Sequence, residues 1–281
     1  MDARTRLFVF GFGLVFSLVL LSGLPAAAGS KVHVGQPCNR PDRPSLAEVD
    51  HLPLDGLLRK YVDGRGLVDY ARWKSSFEDL RALDAYLAMV GCVDLKKAAP
   101  KPARLAYWIN VYNALTLAGI LREYPTSSIR NHTSRLGGYN IWKDLLIWVD
   151  GRQLSLDDIE HSILRKMGEP RMHLAIVCAS RGCPSLWNRA YTAEGIDEQL
   201  TANGRRFLSR PENFRANGGT AEVCISRLFE WYGTDFAATP AEQLRALARM
   251  LPPGTEWVAQ RPVRVFYLEY DWSLNDQRPA K

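Results

Sequence analysis

The chain has 281 residues, five cysteines and a formal charge of +6. Its lysines and arginines are scattered rather than bunched, and no nucleic-acid-binding motif is present. That excludes nucleic acid as a partner and leaves a solvated basic surface, or affinity for anionic envelope material.

Arg4 and Arg6 precede an unbroken apolar run from Leu7 to Leu24, followed by Pro25-Ala26-Ala27-Ala28. A basic start, an apolar core and a small-residue site read as a secretory signal, residues 1–28. The run is long for a signal, so an uncleaved N-terminal membrane anchor is the alternative, and the membrane enters only that way. The compartment is then periplasmic or extracellular and oxidising, where cysteines pair. Cys38 and Cys92 make a reasonable structural bridge, which leaves Cys178, Cys183 and Cys224. An odd count requires at least one free thiol or a bond to another molecule.

Residues 29–44 carry glycine, proline and a cysteine without periodicity and read as a lead-in segment. Residues 45–276 read as one domain, with a polar tail at 277–281. Leu54 to Tyr61 has helical spacing, ended by Gly64-Arg65-Gly66. Ser75 and Glu78 form a capping box ahead of a helix to about Val90. A helix over 103–123 stops before Pro125. It is apolar nearly all round and therefore buried, and it carries Trp108, Asn110, Tyr112 and Asn113. Buried amides must be hydrogen-bonded, either to nearby loop backbone or to a substrate or oxyanion.

Leu145–Val149, Asp150-Gly151 and Gln153–Ser155 read as a β-hairpin with a two-residue type I′ turn. Ser155 and Asp158 cap a helix to about Lys166 that carries Glu160 and His161. Arg171 to Val177 is an apolar run bounded by turn residues and reads as the central strand. It breaks into Cys178-Ala179-Ser180-Arg181-Gly182-Cys183-Pro184, where ligands of open α/β sheets gather. Thr192–Leu208 reads as a helix and Asn217-Gly218-Gly219 as a turn. Thr239-Pro240-Ala241-Glu242 starts another helix, and Val263–Asp271 alternates like a strand. The fold class is therefore α/β or α+β: a single mixed domain with a central sheet flanked by helices.

Four stretches together resemble one family, the domain-of-unknown-function family 547: Tyr107 to Ala114, Leu154 to Arg165, His173 to Pro184 and Tyr270 to Asn275. The resemblance spans roughly Leu54 to Asp276, with no departure at these motifs. It implies no reaction, because the family's activity is not established, but it strengthens the choice of residues.

The chemistry of those residues points two ways. Cys178 with a histidine makes a thiol nucleophile and base, as in cysteine peptidases and acyltransferases acting on peptide, isopeptide or thioester-like bonds. On a straight strand His173 would stand about 16 Å from Cys178, so His161 is the expected base and His173 a structural histidine. Asn110 is the third catalytic candidate, in the order Asn, His, Cys, which geometry permits. Asn113, Trp108, Tyr112, Ser180, Arg181, Gly182, Cys183 and Arg227 are the candidate substrate contacts. Trp187, Trp231, Tyr232 and Trp272 are either core or the walls of a glycan or peptide groove.

The other reading joins Cys178 to Cys183 in a disulfide. The loop then becomes a non-catalytic envelope module that binds a peptide, glycan or protein. No standard ligand spacing supports a metal, and no cofactor is assigned.

Overall fold

The computed structural model describes residues 31–134 and 139–278. The segment read as a secretory signal lies outside them. Val32–Val34 forms a short strand, β1, and the chain then enters helices α1 (Leu52–Tyr61), α2 (Tyr70–Ser75) and α3 (Phe77–Gly91). The cap of α3 is Ser76 with Asp79, one residue beyond the Ser75–Glu78 pair expected from the pattern. The adjacent serine takes that role because Ser75 already closes α2, its Oγ donating to the Arg72 carbonyl.

Helix α4 (Lys101–Glu123) is the buried axis of the first half of the molecule. Its apolar residues leave no polar face, so neighbours cover it on every side. α1, α3 and the first sheet share one core with it. A short helix α5 (Ile141–Asp144) leads into β2 (Leu145–Val149) and β3 (Arg152–Ser155). Asp150 and Gly151 both have positive φ, 50° and 71°, as the type I′ turn requires. β1 pairs with β2 in parallel, so the lead-in segment contributes an edge strand to this sheet.

The second sheet is built from β4 (Phe214–Asn217), β5 (Glu222–Ser226) and β6 (Arg264–Leu268) in that order. Helices α6 (Ile196–Leu208), α7 (Leu228–Phe236) and α8 (Pro240–Ala246) surround it. They form a separate core around Phe207, Val223, Phe229 and Leu247. The cap of α8 is the expected one, Thr239 and Glu242 in a reciprocal box with Pro240 at its start.

The mixed α/β class holds, but the single central sheet does not: two small three-stranded sheets take its place. Arg171–Val177 is no strand. Pro170–Leu174 is a turn of 3₁₀ helix running into an irregular segment. Pro170 presets a helical φ, and Glu169 accepts the backbone N–H of Arg171, so the run starts wound. An apolar run bounded by turns records burial, which strand and turn share.

Candidate functional site

The thiol loop is held by two buried amides. Asn113 on α4 donates to the Ala175 carbonyl at 3.0 Å and accepts the Val177 N–H at 2.9 Å. Asn203 on α6 donates to the carbonyls of Leu174 and Ser185 at 2.6 and 3.0 Å. These side chains supply partners that a neighbouring strand would otherwise give. Beyond Val177 the loop docks on the C-terminal segment. Arg181 N–H reaches the Ser273 carbonyl, Gly182 N–H reaches Asp271, and Asn275 N–H reaches Ala179. Gly182 is required by that approach, since a Cβ there would lie 2.9 Å from the Asp271 nitrogen. Two of the stretches that carried the resemblance, His173–Pro184 and Tyr270–Asn275, are thus one unit in space.

Cys178 Sγ stands at the centre of this unit. It is 2.9 Å from Cys183 Sγ, 3.0 Å from Ser180 Oγ and 3.1 Å from Tyr270 OH. Cys178 and Cys183 are both free, whereas Cys38 and Cys92 are joined in the bridge named above as a reasonable pairing. The hydrogen bond from Cys183 pulls the Cys178 thiol down to about 7, with Ser180 and Tyr270 adding to it against the cost of burial. Burial pushes Cys183 and Tyr270 the other way, well above their ordinary values, so they stay protonated and donate.

The sulfur faces a cavity of about 350 Å³ whose walls are Tyr112, Trp142, Trp231, Tyr232, Tyr270 and Trp272. Glu160, His161 and His173 line it too. The helix that carries Glu160 and His161 starts at the expected Ser155–Asp158 box but winds as a π-helix over Asp158–Leu164. The wider winding puts Ile159 and Leu164, five apart, in the core. It also turns Glu160 inward, where Tyr112 OH donates to it at 3.1 Å. Such windings recur at functional sites.

The two histidines differ in what their nitrogens do. His161 Nδ1 lies 3.2 Å from the Arg165 guanidinium, which can only donate, and its Nε2 lies 3.7 Å from Asp157. Its lone pair is therefore occupied, and it makes no hydrogen bond to Cys178. His173 is 2% exposed, with Nε2 at 2.7 Å from Asp235 and its ring stacked on Tyr232 at 4.2 Å. Asp235 is gripped by Arg165 through two bonds of 2.6 and 2.7 Å, and that grip holds its carboxyl at about 2. Burial pushes His173 below its ordinary value, so the ring is neutral. Its Nε2–H donates to Asp235, and Nδ1 has no hydrogen-bond partner among the described residues. The 16 Å separation expected for His173 assumed an extended strand and lapses with it.

The remaining candidates separate. Tyr112 and Cys183 line the cavity, and Ser180 touches the sulfur. Asn110 does not reach the site: its amide pairs with the backbone of Tyr191 at 2.8 and 2.9 Å, so both its functions are spent on the loop. Asn113 is likewise a clamp rather than a substrate contact. Trp108 packs edge-on to Tyr107 inside the core. Arg227 pairs with Glu230 at the start of α7. Arg181 and Gly182 do not line the thiol cavity but a second cleft. Pattern reading passed over Tyr270 and Asp235. Tyr270 begins one of the stretches that carried the resemblance and was findable there, whereas Asp235 has no sequence signal.

Residues 96–208 match the family described as "Protein of unknown function, DUF547". Over that stretch the chain is similar to this family. The matched segment contains α4, the π-helix and the whole thiol loop, but not Tyr270 or Asp235. No curated protein and no solved structure matches the chain. Among the described residues no three His, Cys, Asp or Glu gather as a metal set, and no helix is long and apolar enough to cross a membrane.

Proposed function

We propose that the protein is a thiol-dependent hydrolase or acyltransferase with Cys178 as nucleophile. One observation carries this reading: a thiol drawn to about 7 by three donors opens onto an aromatic-walled cavity. A thiolate, not a thiol, attacks acyl carbon, and a value near neutrality keeps it both populated and nucleophilic. Neither histidine hydrogen-bonds Cys178 Sγ, and both line its cavity; the base role moves from His161 to His173, because only His173 combines a buried neutral ring, an anchored Nε2–H and an unengaged Nδ1. The thiol proton is given up to His173 Nδ1 across the cavity that both groups line, and the resulting thiolate forms the bond from Sγ to the acyl carbon. Collapse of the tetrahedral intermediate expels the leaving group, which takes that proton. His173 then takes a proton from water, or from an acceptor nucleophile, as the thioester is opened. Asp235 holds the tautomer and stabilises the imidazolium, and Arg165 holds Asp235.

The test is a p-nitrophenyl acetate burst followed by peptide mass spectrometry. Acetyl on Cys178, lost in Cys178→Ala and slowed at least a hundredfold in His173→Gln but little in His161→Gln, is the expected result. A burst that survives Cys178→Ala would end the proposal.

The short Cys178–Cys183 separation favours a second reading, the disulfide-closed envelope module. Recovery of the two cysteines as one linked peptide from unreduced, exported protein, with no thiol labelling, would select it. Export itself rests on the N-terminal sequence.

A further inference from the structure

The thiol loop has a second face. Arg181 and Gly182, the residues between Ser180 and Cys183, line a cleft of about 590 Å³ that does not include Cys178 or Cys183. Three more arginines converge there: Arg65 from the turn after α1, Arg206 from α6 and Arg210 just beyond its end. Among the described residues no carboxylate pairs with Arg181, Arg206 or Arg210, although most partly buried arginines elsewhere in the chain are paired, such as Arg165 with Asp235 and Arg171 with Glu169.

Their protein contacts leave most of their N–H groups over. Arg181 spends one nitrogen on the Asp276 carbonyl at 2.8 Å, and Arg210 spends one on the Arg65 carbonyl and Ser185. Arg206 lies over Trp187, its guanidinium carbon 5.1 Å from the ring centre, and its Nη1 is buried with no acceptor among the described residues. A guanidinium carries five donors in a fixed plane, and a buried donor without an acceptor costs free energy. Burial pushes Arg210 downward, and the neighbouring Arg206 charge adds to it, against the opposing pull of Glu212 at the rim. Glu212, Glu269 and Asp271 also line the cleft, but all three are exposed at its edge, and Asp271 is engaged by Ser273.

We propose that this cleft is a binding site for a phosphate-class oxyanion, free or carried as a phosphomonoester, held by Arg181, Arg206 and Arg210. A tetrahedral dianion offers several acceptors to donors arriving from three directions, which a single carboxylate does not, and planar guanidinium groups bind phosphate through paired N–H bonds. The rim carboxylates oppose every anion, so the attraction of the arginines has to exceed that repulsion. Tyr270 forms part of both cavities, so the two sites share a wall, but the claim does not depend on the thiol chemistry.

The experiment is isothermal titration of the reduced full chain with inorganic phosphate at constant ionic strength, with chloride and acetate as reference anions. Saturable phosphate binding is expected, weakened at least tenfold in Arg206→Gln and in Arg181→Gln and strengthened in Glu269→Gln. Arg206→Lys, which keeps the charge but loses the planar fork, is expected to fall between wild type and Arg206→Gln. No heat beyond chloride, equal response to acetate, or affinity unchanged in both arginine variants would overturn the assignment. Circular dichroism of each variant separates lost binding from lost folding, and equilibrium dialysis of wild type against radiolabelled phosphate decides the matter without any variant. A methyl phosphate titration separates the two sources: tighter binding than inorganic phosphate indicates a phosphomonoester.

Discussion

At the scale of single residues the site is an argument about who donates to whom. Cys178 Sγ has three protonated neighbours, and each stabilises the thiolate because none of them can release its own proton first. The sign follows directly. Thiolate accumulates as pH rises through about 7, so alkylation of Cys178 by iodoacetamide should reach half its maximal rate there, well below the ordinary thiol value of about 8.5. Tyr270→Phe removes one donor while leaving the ring against Trp231 and Trp272. Its profile should move to higher pH, and the rate at pH 7 should fall several-fold with the plateau kept. An unmoved profile would mean that Tyr270 packs against the sulfur without supporting its charge.

At the scale of elements the position of the loop comes from α4. Asn113 sits at mid-helix and 3% exposed, and it is affordable there because its amide closes two backbone groups of the loop. Asn113→Leu keeps a branched side chain, though a bulkier one, and leaves the Ala175 carbonyl and the Val177 N–H buried without partners. At about 1–3 kcal/mol for each such group, the variant should unfold at clearly lower denaturant and lose the fast alkylation of Cys178. Asn110→Leu should cost similar stability through Tyr191 but leave the alkylation profile in place, which makes the pair a control for each other. What the sequence revealed and what it hid divide along the same line. Local signals were legible: the Asp150-Gly151 turn, the Ser155–Asp158 and Thr239–Glu242 boxes, the stop before Pro125, and the loop between the cysteines. Those features are decided by neighbours within a few residues. The wound conformation of Pro170–Leu174 was hidden, because an apolar run states only that it is buried; the expected 192–208 helix begins a turn later, at Ile196, because Thr192 turns the chain by accepting the Gly195 N–H. The contact of His173 with Asp235, on which the proposed base role rests, was hidden for a stronger reason. Asp235 lies 62 residues from His173 and is carried on α7.

At the scale of the whole molecule the thiol site stands between two cores. Asn113 reaches it from the α4 core, and Leu174, at its edge, belongs to the core of the second sheet. The first core is tied to the N-terminal segment by covalent as well as apolar means. β1 contributes only three residues to its sheet, and the Cys38–Cys92 bond fastens the segment behind it to the end of α3. The bond closes a loop across a separation of 54 residues. For a loop of that size the chain-entropy account gives a stabilisation of about 4 kcal/mol. Reduction, or the double variant Cys38→Ala/Cys92→Ala, should therefore lower the melting temperature by several degrees. The thiol site lies elsewhere and uses neither cysteine, so its alkylation profile should survive at temperatures where the variant remains folded. A variant that melts as wild type does would show that the segment 31–44 is held by its strand pairing and by Arg43 on Asp150, with the disulfide adding nothing. A variant that stays folded but loses Cys178 reactivity would instead couple the N-terminal segment to the site, which its location at the far end of α3 does not lead one to expect.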